Sequence, residues 1–334
     1  MATALPEITL APGATLDHAQ LTSSTPYVIR GLAADWPLVH AARASSRAAS
    51  DYLRRFDNGT PVTVWVGPPE IEGRFFYNED LSGFNYQPQR ARLAQVLDEL
   101  LGAGAQPRPP AIYVGSTMID ANLPGFRAEN PLDLGARDPL VSIWIGNRTR
   151  VGAHFDLPDN VACVAAGRRR FTLFPPDQIG NLYIGPLDFN PAGQSVSLVD
   201  VAAPDLERFP KFAEALEHAL VAELDAGDAI YIPSMWWHNV DALEPFNILV
   251  NYWWRQSPAW MDTPLNTLMH ALVSLRDLPL EQRAIWKGIF DHYVFNSDGS
   301  EAAHIPPAAR RILAPLDADA ARTVRAFLLN RLNR

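Results

Sequence analysis

Two histidines and an aspartate are the residues of this chain best suited to hold a reactive metal ion. His154 and Asp156 lie in "AHFD", and His238 closes the apolar run of "GDAIYIPSMWWHNV". Side chains at i and i+2 on a strand share a face, so His154 and Asp156 can reach one ion. His238 becomes the third ligand if its strand runs alongside. Two imidazoles and one carboxylate make the facial arrangement of non-haem Fe(II) sites, which leaves coordination positions open. Taken singly, each piece has a plainer explanation. An H-x-D is usually an ordinary polar pair, and a histidine after two tryptophans is usually a hydrogen-bonded core residue. Of the other histidines, His218 and His270 fall on expected helices, and His18, His40, His292 and His304 have no carboxylate at strand spacing.

The elements that must position these groups are mostly short strands. The 334 residues contain 29 prolines and 20 glycines, spread along the chain with short apolar segments between them. That distribution suits many strands better than a helical bundle. Strands are expected at 27–32, 61–67, 111–116, 140–146, 161–167, 169–175, 229–233 and 247–254. A helix is expected in "RARLAQVLDELLGAG", where Leu93, Val96, Leu97, Leu100 and Leu101 share a face and Gly102 is the terminator. Residues 205–220 read as an insertion that ends in a helix. After Trp254 the character changes. Thr263 and Pro264 start a helix carrying Leu265, Leu268, Met269, Leu272 and Val273, and further helices are expected at about 280–294 and 317–332. The expected organisation is therefore a β-rich domain, 1–258, and a helical region, 259–334.

A hydrophobic fraction of 48% and a charged fraction of 19% describe a soluble globular protein with a substantial core. The net charge of −9 argues against a general electrostatic surface for nucleic acid. The lone cysteine, Cys163 in "VACVA", excludes an internal disulfide framework and a thiolate-rich metal site, and reads as a buried structural thiol. The start, "MATALPEITLAPG", has no basic segment followed by a long apolar one, and no run approaches a membrane span. Cytoplasmic residence is the expectation.

The stretch "NRTRVGAHFDLPDNVACVAAGRRRFTLFPP", followed by "DQIGNLY", "ERFPKF", "GDAIYIPSMWWHNV" and "NILVNYWWR", resembles the JmjC/cupin-like Fe(II)- and 2-oxoglutarate-dependent oxygenases. The resemblance is nearest to the asparaginyl hydroxylase that inhibits hypoxia-inducible factor. It is strong over roughly residues 110–255, and "VIRGLAADWP" is typical of the family's N-terminal segment. It implies a mainly β fold, a double-stranded β-helix or jelly roll with flanking helices and a C-terminal helical extension. The triad His154, Asp156 and His238 would then sit inside one mouth of the barrel and hold Fe(II), with 2-oxoglutarate as co-substrate. Trp236 and Trp237 would pack the adjoining wall, at least one of them as a plain core residue. Residues 68–90, where "RFFYNEDLSGFNYQ" offers exposed aromatics, would form either a substrate lip or a loop that merely covers the barrel.

A dicarboxylate needs a cation. In Arg168-Arg169-Arg170, alternation puts Arg169 on one face with Phe171 and Leu173, and Arg168 and Arg170 on the other with Thr172. An arginine facing into a barrel requires a buried anion, which a dicarboxylate supplies with bidentate geometry. The family resemblance assigns the Arg169 position to the distal carboxylate, with arginine here for the hydroxylase's lysine. It also assigns Tyr113 to that carboxylate, and Asn160 and Asn251 to the co-substrate or the metal shell. Val151 departs from the pattern, standing where the hydroxylase has a hydroxyl donor. The implied activity is hydroxylation of a protein side chain or small molecule coupled to conversion of 2-oxoglutarate to succinate, with a homodimer formed through the C-terminal helices. The alternative is a metal-binding cupin that isomerises or simply binds a small ligand.

Overall fold

The computed structural model describes residues 3–11, 14–191 and 193–333. The chain divides into two compact units, one running to Gln256 and the other starting at Ser257. The first unit is mainly β. Its strands are β1 (Thr3–Ala4), β2 (Glu7–Thr9), β3 (Tyr27–Arg30), β4 (Val62–Gly67) and β5 (Arg74–Phe75). Next come β6 (Gln87–Ala91), β7 (Ala111–Met118), β8 (Leu140–Gly146), β9 (Arg150–His154) and β10 (Asp159–Ala166). The last are β11 (Arg168–Phe174), β12 (Leu220–Asp225), β13 (Ala229–Ile232), β14 (Trp237–Ala242) and β15 (Asn247–Trp254). They form a six-stranded sheet, β1-β12-β11-β14-β9-β5, and a nine-stranded sheet, β2-β3-β13-β10-β15-β8-β7-β4-β6. This is the jelly-roll architecture of cupins, in which inward-facing side chains of two sheets meet across one interior.

The pattern of β10 explains how the layers stack. Every residue of this strand is buried, because both faces are covered. Val161, Cys163 and Ala165 join the large outer core under the helices α1 (Pro37–Ala44), α2 (Ser46–Arg54) and α3 (Leu93–Ala103). Ala162 and Val164 turn inward to meet Phe171, Leu173 and Val240 of the facing sheet. The Cys163 thiol is fully buried, and that burial pushes its pKa up, so it is an inert packing group.

All eight expected strands are present, with ends shifted by a residue or two. Gly102 does not end its helix: α3 runs through it, and Gly104 is the cap. The 205–220 segment carries only a short helix, α6 (Phe212–Glu217), after α4 (Ile119–Asn122) and α5 (Phe126–Glu129) earlier in the chain. It leads into β12, which was not anticipated because "LVAELD" has the polar alternation of a half-exposed strand.

Gly167 joins β10 to β11 and so sets where Arg169 falls. Its φ is +73°, and a Cβ there would lie 2.2 Å from Asn247 Oδ1, which accepts from the Arg168 N–H, and 2.6 Å from the Phe246 carbonyl. Gly167→Ala is expected to cost more than about 2 kcal/mol of stability, combining left-handed strain with displacement of that amide. The measurement is the urea midpoint at unchanged m-value. A midpoint equal to the parent's would show that the turn relaxes freely.

The second unit consists of α7 (Pro264–Ser274), α8 (Leu280–Phe290) and α9 (Ala318–Leu332) with short helical turns between them. Neither α7 nor α8 buries a residue, and α9 buries only Ala321.

Candidate metal centre and its cavity

His154 is the last residue of β9 and His238 the second of β14, and the two are directly paired across the sheet. The pairing slips between His238 and Val240, where two residues of β9, Gly152 and Ala153, stand opposite one of β14, Asn239. Bulges of this kind re-aim side chains at the rims of barrels. The directly paired imidazoles have their centroids 4.3 Å apart. Asp156 lies beyond the strand, in the loop that follows, so plain alternation does not place it. A set of hydrogen bonds does. The Met235 N–H donates to the Asp156 carbonyl at 2.9 Å, and Ser234 Oγ donates to the Leu157 carbonyl at 2.6 Å. Met235 takes a left-handed φ of 70° to make this turn. One Asp156 oxygen stands 3.7 Å from His238 Nε2, and one ligand atom from each of the three residues lies within 4.8 Å of the others. Among the described residues this is the one group of three such side chains that could hold an ion.

The tautomers suit coordination. His154 Nδ1 is 2.9 Å from the Gly152 carbonyl and His238 Nδ1 is 3.0 Å from the Trp236 carbonyl. A carbonyl only accepts, so each Nδ1 carries the hydrogen and each Nε2 keeps its lone pair. Burial, reinforced by the neighbouring His154, holds His238 well below the ordinary imidazole range, so it is neutral near pH 7.

The triad opens into a cavity of about 290 Å³ between the two sheets. The six-stranded sheet contributes Val151, Arg169, Phe171 and Val240 besides the histidines, and the nine-stranded sheet contributes Trp65, Tyr113, Trp144, Asn160, Asn251 and Trp253. Arg169 is 1% exposed, and its Nε and Nη2 have no hydrogen-bond partner among the described residues. Its neighbours in sequence are exposed and paired: Arg170 reaches Glu223 at 2.6 Å, and Arg168 lies 3.6 Å from both Glu223 and Glu244. Tyr113 is the group that interacts with Arg169. Burial lowers the arginine's pKa and raises the tyrosine's, and each partly offsets the other. Asn251 Nδ2 donates to Asn160 Oδ1 at 2.8 Å, which leaves Asn251 Oδ1 unpartnered. A buried guanidinium with free donors, in one chamber with two imidazoles and a carboxylate, fits an anionic ligand beside a divalent ion.

The cupin-like domain profile matches residues 13–259. This chain belongs to the cupin-like domain family. Curated relatives of this cupin-like domain include the lysine-specific demethylase JMJ31 of Arabidopsis thaliana, 31% identical over 35% of this chain and 21% of that one. The tRNA wybutosine-synthesizing protein 5 of Gallus gallus is 33% identical over 39% of this chain and 42% of its own. The HSPB1-associated protein 1 of Homo sapiens is 33% identical over 34% and 23%. The chain thus spans less than half the length of these relatives.

Two expectations about the cupin-like domain's walls are corrected. Trp236 and Trp237 do not line the cavity. Trp236 packs beside Phe171 and Leu249 and donates to the Ser24 carbonyl at 3.0 Å, while Trp237 packs edge-on against Phe155 at 4.8 Å. The aromatic wall is Trp65, Trp144 and Trp253 instead. The aromatics of 75–86 are not an exposed lip either: Phe75, Phe76, Tyr77 and Tyr86 are buried. They pack on one another and on the 189–191 loop, where Phe84 stacks on Phe189 at 4.7 Å and Tyr86 donates to the Pro191 carbonyl. Their polar neighbours in sequence had disguised a local core.

Asp159 was missed. It is 4% exposed and accepts from Ser234 N–H at 3.0 Å, Tyr231 at 3.3 Å and Gln256 at 2.7 Å, so it fixes the loop after Asp156 to the turn before His238. Trp253 could have been found, since it shares the inner face with Asn251 by simple alternation. No helix among the described residues is long and apolar enough to cross a membrane.

Proposed function

We infer that this cupin-like domain is an Fe(II)- and 2-oxoglutarate-dependent oxygenase that hydroxylates a protein side chain or a small molecule. The observation that carries this is Arg169, a buried cation with two unpartnered donors in the same cavity as a two-histidine, one-carboxylate triad. When bound, Fe(II) supplies a centre at which oxygen is reduced, 2-oxoglutarate is oxidised to succinate and carbon dioxide, and one oxygen atom enters a C–H bond of the substrate. His154 and His238 hold the ion through Nε2, and Asp156 through its carboxylate. Arg169 receives the distal carboxylate of the co-substrate, and the Tyr113 hydroxyl assists there. Asn160 and Asn251 orient the end that meets the metal. Trp65, Phe171 and Leu249 keep that chamber dry.

The sequence resemblance to an asparaginyl hydroxylase, and the demethylase among the relatives, support a protein substrate. The wybutosine-synthesizing relative acts on tRNA by its name, which makes an RNA base the contrasting outcome of a substrate search. An anaerobic titration with Fe(II) and 2-oxoglutarate, followed by assay for succinate on admitting oxygen, tests the reading. Succinate formation supports it. Failure to bind 2-oxoglutarate, or equal function with Zn(II) and no succinate, would favour a binding or isomerising cupin.

The helical unit pairs with a second copy of itself. Val273 is 88% exposed, Leu280 69%, Phe295 73% and Phe327 56%, in a unit whose helices bury almost nothing internally. Exposed apolar surface on this scale marks an association face. Light scattering at micromolar concentration is expected to return the mass of a dimer, and a monomeric mass overturns this.

A further inference from the structure

Two further cavity-lining donors have no partner among the described residues, the indole N–H groups of Trp144 and Trp253, and Trp144 is the one stacked on Tyr113. Trp144 projects inward from β8, on the same face as Ser142, while Val141, Ile143 and Ile145 point to the outer core. Its ring stacks on Tyr113 at 5.7 Å and 26°, and Tyr113 in turn meets Arg169. Trp144 and Val151 both pack against the cluster around Phe75 and Tyr113, and Val151 brings no polar atom to the cavity wall. The indole Nε1 is fully buried and has no hydrogen-bond partner. A buried N–H left unpaired loses its hydration with nothing in return, so such a group in a ligand cavity marks where an acceptor belongs.

We propose that the indole N–H of Trp144 donates to the distal carboxylate of the 2-oxo acid, completing with Arg169 and Tyr113 a three-sided cradle for that group. The proposal rests on the oxygenase reading above. A carboxylate has about four lone-pair sites, more than a guanidinium edge and one phenol fill. The indole supplies one more donor beside Tyr113. An indole is rigid and uncharged, so it adds direction to a site whose charge comes from Arg169.

The test is Trp144→Phe, which keeps a ring against Tyr113 and removes the N–H. Binding of 2-oxoglutarate and of 2-oxopentanoate, the same chain without its distal carboxylate, is measured by calorimetry with Mn(II) as the metal. The variant is expected to bind 2-oxoglutarate roughly ten- to a hundredfold more weakly, the effect of losing a hydrogen bond to a charged group. Its affinity for 2-oxopentanoate and for Mn(II) should match the parent's. Unchanged 2-oxoglutarate affinity overturns the proposal. So does an equal loss for both acids, which would make Trp144 a packing residue. If the parent itself binds neither acid, it is the oxygenase reading that fails, and this proposal falls with it.

Discussion

Alanine at His154, Asp156 or His238 is expected to abolish Fe(II) binding and succinate formation while the fold survives. All three ligand atoms converge within 4.8 Å, and two remaining ligands hold a divalent ion far more weakly than three. The fold should persist because each side chain faces an existing cavity rather than close-packed core. His238→Ala leaves the Trp236 carbonyl without its donor, a loss of one buried hydrogen bond worth about 1 kcal/mol. Asp156 lies outside the strands and is anchored by its backbone, which the substitution preserves. Metal content after dialysis, the circular dichroism spectrum and succinate yield are the three readouts. Wild-type succinate from any two of the variants would refute the triad.

At Arg169 the expected loss is in co-substrate affinity. With Arg169→Ala the buried carboxylate of 2-oxoglutarate loses its counter-charge. Removing one partner of such a pair costs on the order of 3–5 kcal/mol, and so two or more orders of magnitude in Kd. Fe(II) affinity should change little. Arg169→Lys should recover part of the affinity, since an ammonium keeps the charge but not the fork. Arg168→Ala and Arg170→Ala should matter far less, because those side chains are exposed and paired with Glu223 and Glu244. Stability separates the positions as well. A buried cation with two unpartnered donors is a burden on the ligand-free protein, so Arg169→Met, which fills the volume, should unfold no more readily than the parent. Calorimetry with Mn(II) compares the variants without turnover. Equal losses at all three arginines would mean a diffuse basic surface, with the anchor elsewhere.

How much of this was legible in the sequence depends on what each residue answers to. The inward turn of Arg169 follows from strand alternation, because β11 is regular from end to end. The strands with continuous apolar runs were equally legible, since burial on both faces leaves a composition that only a core tolerates. Asp156 was right for an incomplete reason. It reaches its place through a loop held by Ser234 and Met235, about 80 residues away in the chain, and no local spacing encodes that. The short strands β5 and β6 escaped because pairing with neighbours, rather than their own patterning, makes them strands. Trp236 and Trp237 misled by adjacency: Trp237 takes the face of β14 opposite His238, and Trp236 lies in the turn before the strand, so neither lines the cavity. The unpaired Nε1 of Trp144 was invisible in principle, because hydrogen-bond satisfaction is a property of the assembled interior.

The bonds from His154 and His238 to main-chain carbonyls two residues back on their own segments bear on how such a site changes over time. An imidazole oriented by a neighbouring side chain can be disarmed by one substitution elsewhere, whereas a carbonyl oxygen is present whatever residue carries it. Gly152 and Trp236 could both be exchanged and the two rings would still be told which nitrogen to present. The metal-facing half of the cavity is thereby insulated from mutation in the other half. Walls such as Val151, Trp144 and Arg169 can drift toward a different acid or a different substrate one residue at a time, with the ion kept throughout.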